Sequence, residues 1–286
     1  MRKPKNTSPA RHSFLISQDD ILSDIEKKEG STLLLGKYTL REATILLRKK
    51  GFIRDARKRG LWPIEVVVDS SEFPPLQRLQ FFLREPRPET MIVDLKIREG
   101  RFTPRTRLPF DFSFSNYSFL VLEWLTMQNP IMDFTGEKTP LPGQEHPGLN
   151  LGRKVIELFI HLGRLNHNAG ILAFPAYFHN ALLFSRNFNF VNPVKTAEVE
   201  AIRKTLSNIP FKQLAWIVHL NCLRGADGSV YEWRAEEQVL PLHKEINRYF
   251  SSPDYRDEVD RSRKGMRFSV DWTCYWDRIK RKSGPR

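Results

Sequence analysis

The sequence predicts an α/β fold built on a mixed sheet, and three observations carry that prediction. Apolar and β-branched runs alternate with amphipathic stretches through the middle of the chain, the pattern of a sheet with helices packed on it. Hydrophobic residues make up 40% of the 286 and aromatics 12%, enough for a sizeable core and too much for a disordered chain. No internal repeat replaces the alternation with a solenoid.

Taken in order, residues 1–11 read as a polar, basic arm. "YTLREATILLRKKGFIRDARKRG" reads as one helix: Thr39 and Glu42 have capping-box spacing, and Leu40, Ile45, Leu46 and Leu47 supply its apolar side. Its basic end, Arg54 to Arg59, suits the negative pole of a helix. "WPIEVVVDSS" reads as a buried strand, "PPLQRLQFFLRE" as a helix with prolines in its first turn, and "TMIVDLKIRE" as a strand. "GRFTPRTRLPFDFSFSN" is proline-interrupted and reads as an edge strand or loop, whereas "YSFLVLEWLTMQNP" reads as a long strand. "LGRKVIELFIHLGRL" is an amphipathic helix, followed by a strand at "AGILAFP", a short helix at "YFHNALLFSRN" and a strand at "FNFVN". "TAEVEAIRKTL" reads as a helix and "QLAWIVHLNCL" as a strand turning at "ADGS" into "VYEWR". "LHKEINRYF" and "PDYRDEVDRSRK" read as closing helices, and "RIKRKSGPR" as a mobile basic tail.

The formal net charge of +13 favours anionic partners: nucleic acid, a membrane surface or a phosphorylated small molecule. Two cysteines, Cys222 and Cys274, show no metal-ligand spacing and predict a reducing, cytoplasmic setting. The N-terminus lacks the apolar segment of a secretory signal, and no window reaches the ~18 apolar residues of a membrane span. There is no phosphate-binding Gly-x-x-x-x-Gly-Lys-Ser/Thr loop, no Gly-x-Ser-x-Gly elbow and no His-Glu-x-x-His metal site.

The informative stretch is "LPGQEHPGLNLGRKVIELFIHLGRL", Leu141 to Leu165, where Gly148, Asn150 and Gly152 alternate at the mouth of a helix. Two readings are open. The glycines shape a turn that Asn150 caps, or the loop and the helix N-terminus form a backbone cradle for phosphate, with Arg153 adding a cation.

The block from Phe119 to Val191 resembles the core of the GNAT acyltransferase superfamily. That core is a strand, a pyrophosphate loop of pattern Gln/Arg-x-x-Gly-x-Gly/Ala, a helix, a strand, and a helix leading into a Gly-Phe-type strand. Here Glu145 stands three before Gly148 with Gln144 one place earlier, Asn150 stands where the family has Gly or Ala, and Asn189-Phe190 stands for Gly-Phe. The resemblance implies an acyl-CoA N-acyltransferase-like core with a helical N-terminal region and a C-terminal elaboration. It also implies acyl-CoA (acetyl-CoA) as cosubstrate without metal, and an amine acceptor on a small molecule or a protein. Gln144, Gly148, Leu149, Asn150, Leu151, Gly152 and Arg153 would hold the cofactor. Glu123 would be a general base for the amine, given a pKa raised by Leu122 and Trp124; its other reading is a salt-bridged strand carboxylate. Tyr177 and His179 would supply a proton to the leaving thiolate; otherwise Tyr177 is a packing aromatic and His179 caps the short helix. His146 reads as a solvated loop histidine.

Domain organisation follows as residues 1–60, a basic arm and helix, and 61–286, the acyltransferase-like domain with its extension. A rival reading takes the basic helix end, the arm and the tail, where Trp272, Tyr275 and Trp276 interleave with cations, as a nucleic-acid or acidic-partner surface. On that reading the chain is a binding or scaffold protein with a catalytically degenerate fold. No membrane partner is expected.

Overall fold

The computed structural model describes residues 11–16, for which only the backbone is considered, and 33–72, 76–106, 108, 111–135 and 139–282. The expected arm at residues 1–10, Pro74 and Pro75 of "PPLQRLQFFLRE", and the last four residues lie outside the described residues. The chain divides into two compact units. One holds Met1–Gly100, Leu120–Lys138 and Glu145–His167; the other holds Arg101–Phe119, Thr139–Gln144 and Asn168–Arg286.

In the first unit, strands β1 (Arg11–Ile16), β2 (Ile64–Asp69), β3 (Gln77–Leu83), β4 (Met91–Gly100) and β5 (Phe119–Met127) lie side by side in that order. The first four run antiparallel. β3 corrects the expected helix. Leu79, Phe81 and Leu83 all point inward at strand spacing, and Arg78 makes two hydrogen bonds to Asp94 of β4, at 2.7 and 2.9 Å. The predicted single N-terminal helix is two, α1 (Leu40–Lys49) and α2 (Phe52–Lys58), because Gly51 between them has a left-handed φ of 74°. α3 (Gly152–Leu165) carries the expected apolar face, with Val155, Phe159 and Leu162 buried. A cavity of about 520 Å³ lies among α1, α3 and the sheet, lined in part by Leu47, Phe81, Val93, Leu125, Phe159 and Leu162.

In the second unit, β9 (Gln238–Pro241) lies antiparallel between β6 (Gly170–Ala173) and β7 (Asn189–Phe190). The helices are α4 (Phe178–Phe184), α5 (Pro193–Thr205), α6 (Phe211–His219), α7 (Lys244–Ser251), α8 (Pro253–Lys264) and α9 (Trp272–Lys282). β8 (Leu223–Gly225) and β10 (Phe268–Val270) make a separate antiparallel pair. α6 corrects the strand expected at "QLAWIVHLNCL": Leu214 to Val218 are all buried, so the helix is apolar on nearly every side and shows no stripe. The tail expected to be mobile is α9 as far as Lys282, held by buried Tyr275 in a core with Leu214, Ile217 and Leu223. Among the described residues, no helix is long and apolar enough to cross a membrane.

Candidate functional site

The first unit holds the Gly-rich loop and Glu123. Gln128, just beyond β5, donates its backbone N–H to Ile92 at 2.9 Å and its side-chain amide to Met91 at 3.1 Å. Asn129 N–H donates to Pro147 at 2.7 Å, and Gln128 bridges Gly148 in antiparallel fashion. The loop is thereby pinned beside the end of β5. From there it alternates like a strand: Leu149 and Leu151 are each 2% exposed, whereas Gly148, Asn150 and Gly152 face outward. The alternate spacing in the sequence therefore has a packing cause, two leucine anchors with small or polar residues between them.

Helix α3 opens without a cap. Its N-cap position is Leu151, whose side chain has no polar atom to offer, so Asn150 is not the cap; Asn150 instead takes a left-handed φ of 53°. The first intrahelical bond runs from Val155 N–H to the Leu151 carbonyl at 3.1 Å, leaving the N–H groups of Gly152, Arg153 and Lys154 ahead of it. No carboxylate stands in the first turn. Arg153 is almost wholly exposed and pairs with Glu157 at 3.1 Å. Lys154 pairs with Asp55 of α2, and its ammonium holds the Asp55 carboxyl below the usual carboxylate range. His146 lies in the loop, half-buried, its Nδ1 3.4 Å from the Met132 carbonyl.

Glu123 does not sit among apolar side chains as the base reading expects. Its Oε1 accepts from Arg98 Nε at 2.7 Å, and Trp124 beside it is 46% exposed. β5 is buried over Phe119 to Leu122 and turns both Glu123 and Trp124 to the surface. The strand-carboxylate reading describes this placement.

Gln144, Tyr177 and His179 belong to the second unit. Gln144 closes its own turn, its Oε1 accepting from Leu141 N–H at 3.0 Å and its N–H donating to the Leu141 carbonyl at 3.1 Å. Gly143 has a φ of 76°, and a Cβ there would collide with the Tyr177 hydroxyl. This turn and Tyr177 therefore meet directly. Tyr177 stacks on His179, ring centroids 5.3 Å apart, and also meets His219 at 5.7 Å. The N-cap of α4 is Tyr177, not His179, which is buried at the second helical position. Burial, and then the nearby His219, push the His179 pKa down to about 4, so its imidazole is neutral at pH 7. His219 is pushed down by burial and by Lys282. The neutral imidazole keeps one ring N–H, and Tyr177 is the hydroxyl of the pair.

The sequence reading missed a buried polar cluster in this unit. Lys195, 3% exposed, donates to Glu198 at 2.5 Å and sits 4.3 Å over the Trp233 ring. Tyr231 donates to the same Glu198 oxygen at 2.5 Å, and Asn192 donates to Glu236 at 2.9 Å. The Lys195–Glu198 spacing of three within a helix was a visible signal; the ring beneath it, far along the chain, was not. No group of three or more residues suited to a metal occurs among the described residues.

No family model matches the chain, and no curated protein matches it. Among solved structures, a crystal structure of AtaTR bound with AcCoA aligns over 63% of this chain and 87% of that one, at 13% identity and a TM-score of 0.26. A likeness of that degree fixes neither activity nor substrate.

Proposed function

We propose that the chain is an acyl-CoA-dependent N-acyltransferase of the GNAT kind, moving an acyl group to an amine on a small molecule or a protein. One observation carries this reading: a loop with outward Gly148, Asn150 and Gly152 leads into a helix N-terminus that no side chain caps and whose first turn holds no acidic residue. Such an end has unpaired N–H groups and a partial positive charge, the requirements of a pyrophosphate. The element order β5, loop, α3, β6, α4, β7 supports it as well, being that of the resemblance.

In this reading, the N–H groups around Leu149 to Gly152 bind the phosphate oxygens of acyl-CoA. Arg153 swings from Glu157 to add a charge-assisted contact. Gln144 shapes the turn that precedes this loop. The amine nitrogen attacks the thioester carbonyl, a C–N bond forms, the C–S bond breaks, the amine loses a proton and the thiolate gains one. Glu123 is the candidate proton acceptor, on release from Arg98. Tyr177 is the candidate donor, with neutral His179 stacked behind it. Each role is tested separately: Glu123→Gln and Tyr177→Phe should each lower kcat about 10²–10⁴-fold, the usual contribution of acid–base catalysis, with CoA affinity unchanged. The cytoplasm is the proposed compartment, in keeping with two free cysteines.

The deciding experiment is calorimetric titration of acetyl-CoA and free CoA into wild type, Gly148→Asp and Arg153→Glu. Both substitutions put negative charge where phosphate would sit, on exposed residues whose replacement leaves the core intact. Wild type should bind, and both variants should bind at least tenfold more weakly. A wild type that gives no heat with either ligand at several millimolar, roughly the weak limit of useful affinity, would reduce the loop to a turn.

A further inference from the structure

The geometry of α9 points to a second binding surface, and we propose that it docks single-stranded nucleic acid. Trp272 and Trp276 are 43% and 50% exposed, one helical turn apart. Their ring planes are inclined by only 24°, with centroids 6.4 Å apart. Lys280 follows at the same spacing, so the three side chains form one ridge along the helix.

The helix beneath the ridge is fixed. Tyr275 is buried, Asp271 accepts from Cys274 N–H at 2.9 Å at the helix start, and the same carboxylate pairs with Arg224 at 2.8 Å. Two of the cations are used to hold it: Arg278 donates to the Leu220 carbonyl, and the Lys282 ammonium lies 3.7 Å over the Trp216 ring. Lys280 and Arg281 are exposed and have no ion pair among the described residues. Their charge is available to a partner.

Two wide indole faces on a rigid helix, with free cations at one end, match the needs of a single strand. Bases of any identity stack on aromatic faces while Lys and Arg meet the phosphates. A duplex hides its base faces inside the stack and cannot use the indoles. A second copy of this chain would bring another net +13 against the first, and that repulsion disfavours self-association through this ridge.

The test is fluorescence anisotropy with labelled oligo-dT and oligo-U of about 16 nucleotides, the upper end of common single-strand site sizes, and with a duplex of equal length. No CoA ligand is present, so the result is independent of acyl-CoA binding. Wild type should prefer a single strand to the duplex, and whichever of dT and U binds more tightly names the source. Trp272→Leu and Trp276→Leu should each weaken binding about tenfold, with unchanged circular dichroism. Trp276→Tyr should restore most of the loss, because it restores the ring. Lys280→Gln with Arg281→Gln should instead flatten the dependence of log affinity on log salt by roughly one to two units. Equal affinity for the duplex, insensitivity to both leucine variants, or a dimer in sedimentation that the leucine variants dissolve while oligonucleotide binding persists would each overturn the proposal.

Discussion

Helices α1 and α3 sit in the same unit, line the same cavity, and begin in opposite ways. At the start of α1, Thr39 accepts from Glu42 N–H at 3.2 Å, and the Glu42 carboxylate accepts from Thr39 N–H at 2.8 Å. Two orphan donors are closed, and an acid faces the positive pole. At the start of α3, Leu151 offers no side-chain acceptor, and Arg153 and Lys154 stand in the first turn, where the dipole disfavours them. The core face of α3 is no weaker for this; Phe159 is 1% exposed. A helix end left open by its own side chains, on a helix otherwise well anchored, is one that a ligand can close.

The sharpest break concerns anchorage. Phe159→Ala should cost about 3–5 kcal/mol and Leu47→Ala about 2–5 kcal/mol, measured by denaturant unfolding. If Phe159→Ala is nearly neutral, α3 is not anchored as described and its open end means little.

A third helix start, that of α4, extends the comparison through pH. His179 at its second position has a folded pKa of about 4 against an ordinary 6.5, so the unfolded chain binds the extra proton first. Stability from this residue is fully present above pH 6.5 and is lost as pH falls toward 4, by on the order of 3 kcal/mol. His219, pushed down for a related reason, adds to the same slope. His179→Phe should flatten the stability profile between pH 4 and 6.5. A wild-type profile already flat there would mean that His179 is protonated in the fold.

The smallest effects bear on the caps themselves. Thr39→Ala should destabilise by about 1 kcal/mol. Gly152→Asp should do the reverse, because an added Cβ meets nothing within 4 Å and an acid at the first helical position favours the dipole. It should stabilise by about 1 kcal/mol while weakening CoA binding. Opposite signs in stability and binding from one substitution would be the signature of an end kept open for an anion; loss of both would indicate local damage.

The same two helices show what the sequence disclosed. The capping box was legible because it depends on residues three apart, and the apolar face of α3 because it has a helical period. β4 was legible from its alternation, and β2 and β5 from continuous apolar runs. β3 was misread because Leu76, Leu79 and Leu83 suit a helix while Leu79, Phe81 and Leu83 suit a strand; the Arg78–Asp94 pairing that decides is with another strand. α6 was misread because burial on nearly all sides erases periodicity. At the loop, the glycine spacing was visible, but the inward turn of Leu149 and Leu151 and the left-handed Asn150 come from packing against the end of β5. The ion pair that holds Glu123 joins residues 25 apart in the chain, beyond any local pattern.

Asn150 also bears on how such a loop can drift. Its φ of 53° is a conformation in which an ordinary side chain costs roughly 1–2 kcal/mol, whereas glycine is free and asparagine is among the few others that visit it. The backbone here admits glycine freely and strains alanine. An exchange of Asn150 for Gly would add no backbone strain, and the reverse exchange is nearly as open. In a randomised library at this position, selected for folding alone, Gly, Asn and Asp should survive and the β-branched residues should disappear. The loop thus has a narrow neutral corridor through sequence space, set by one dihedral angle.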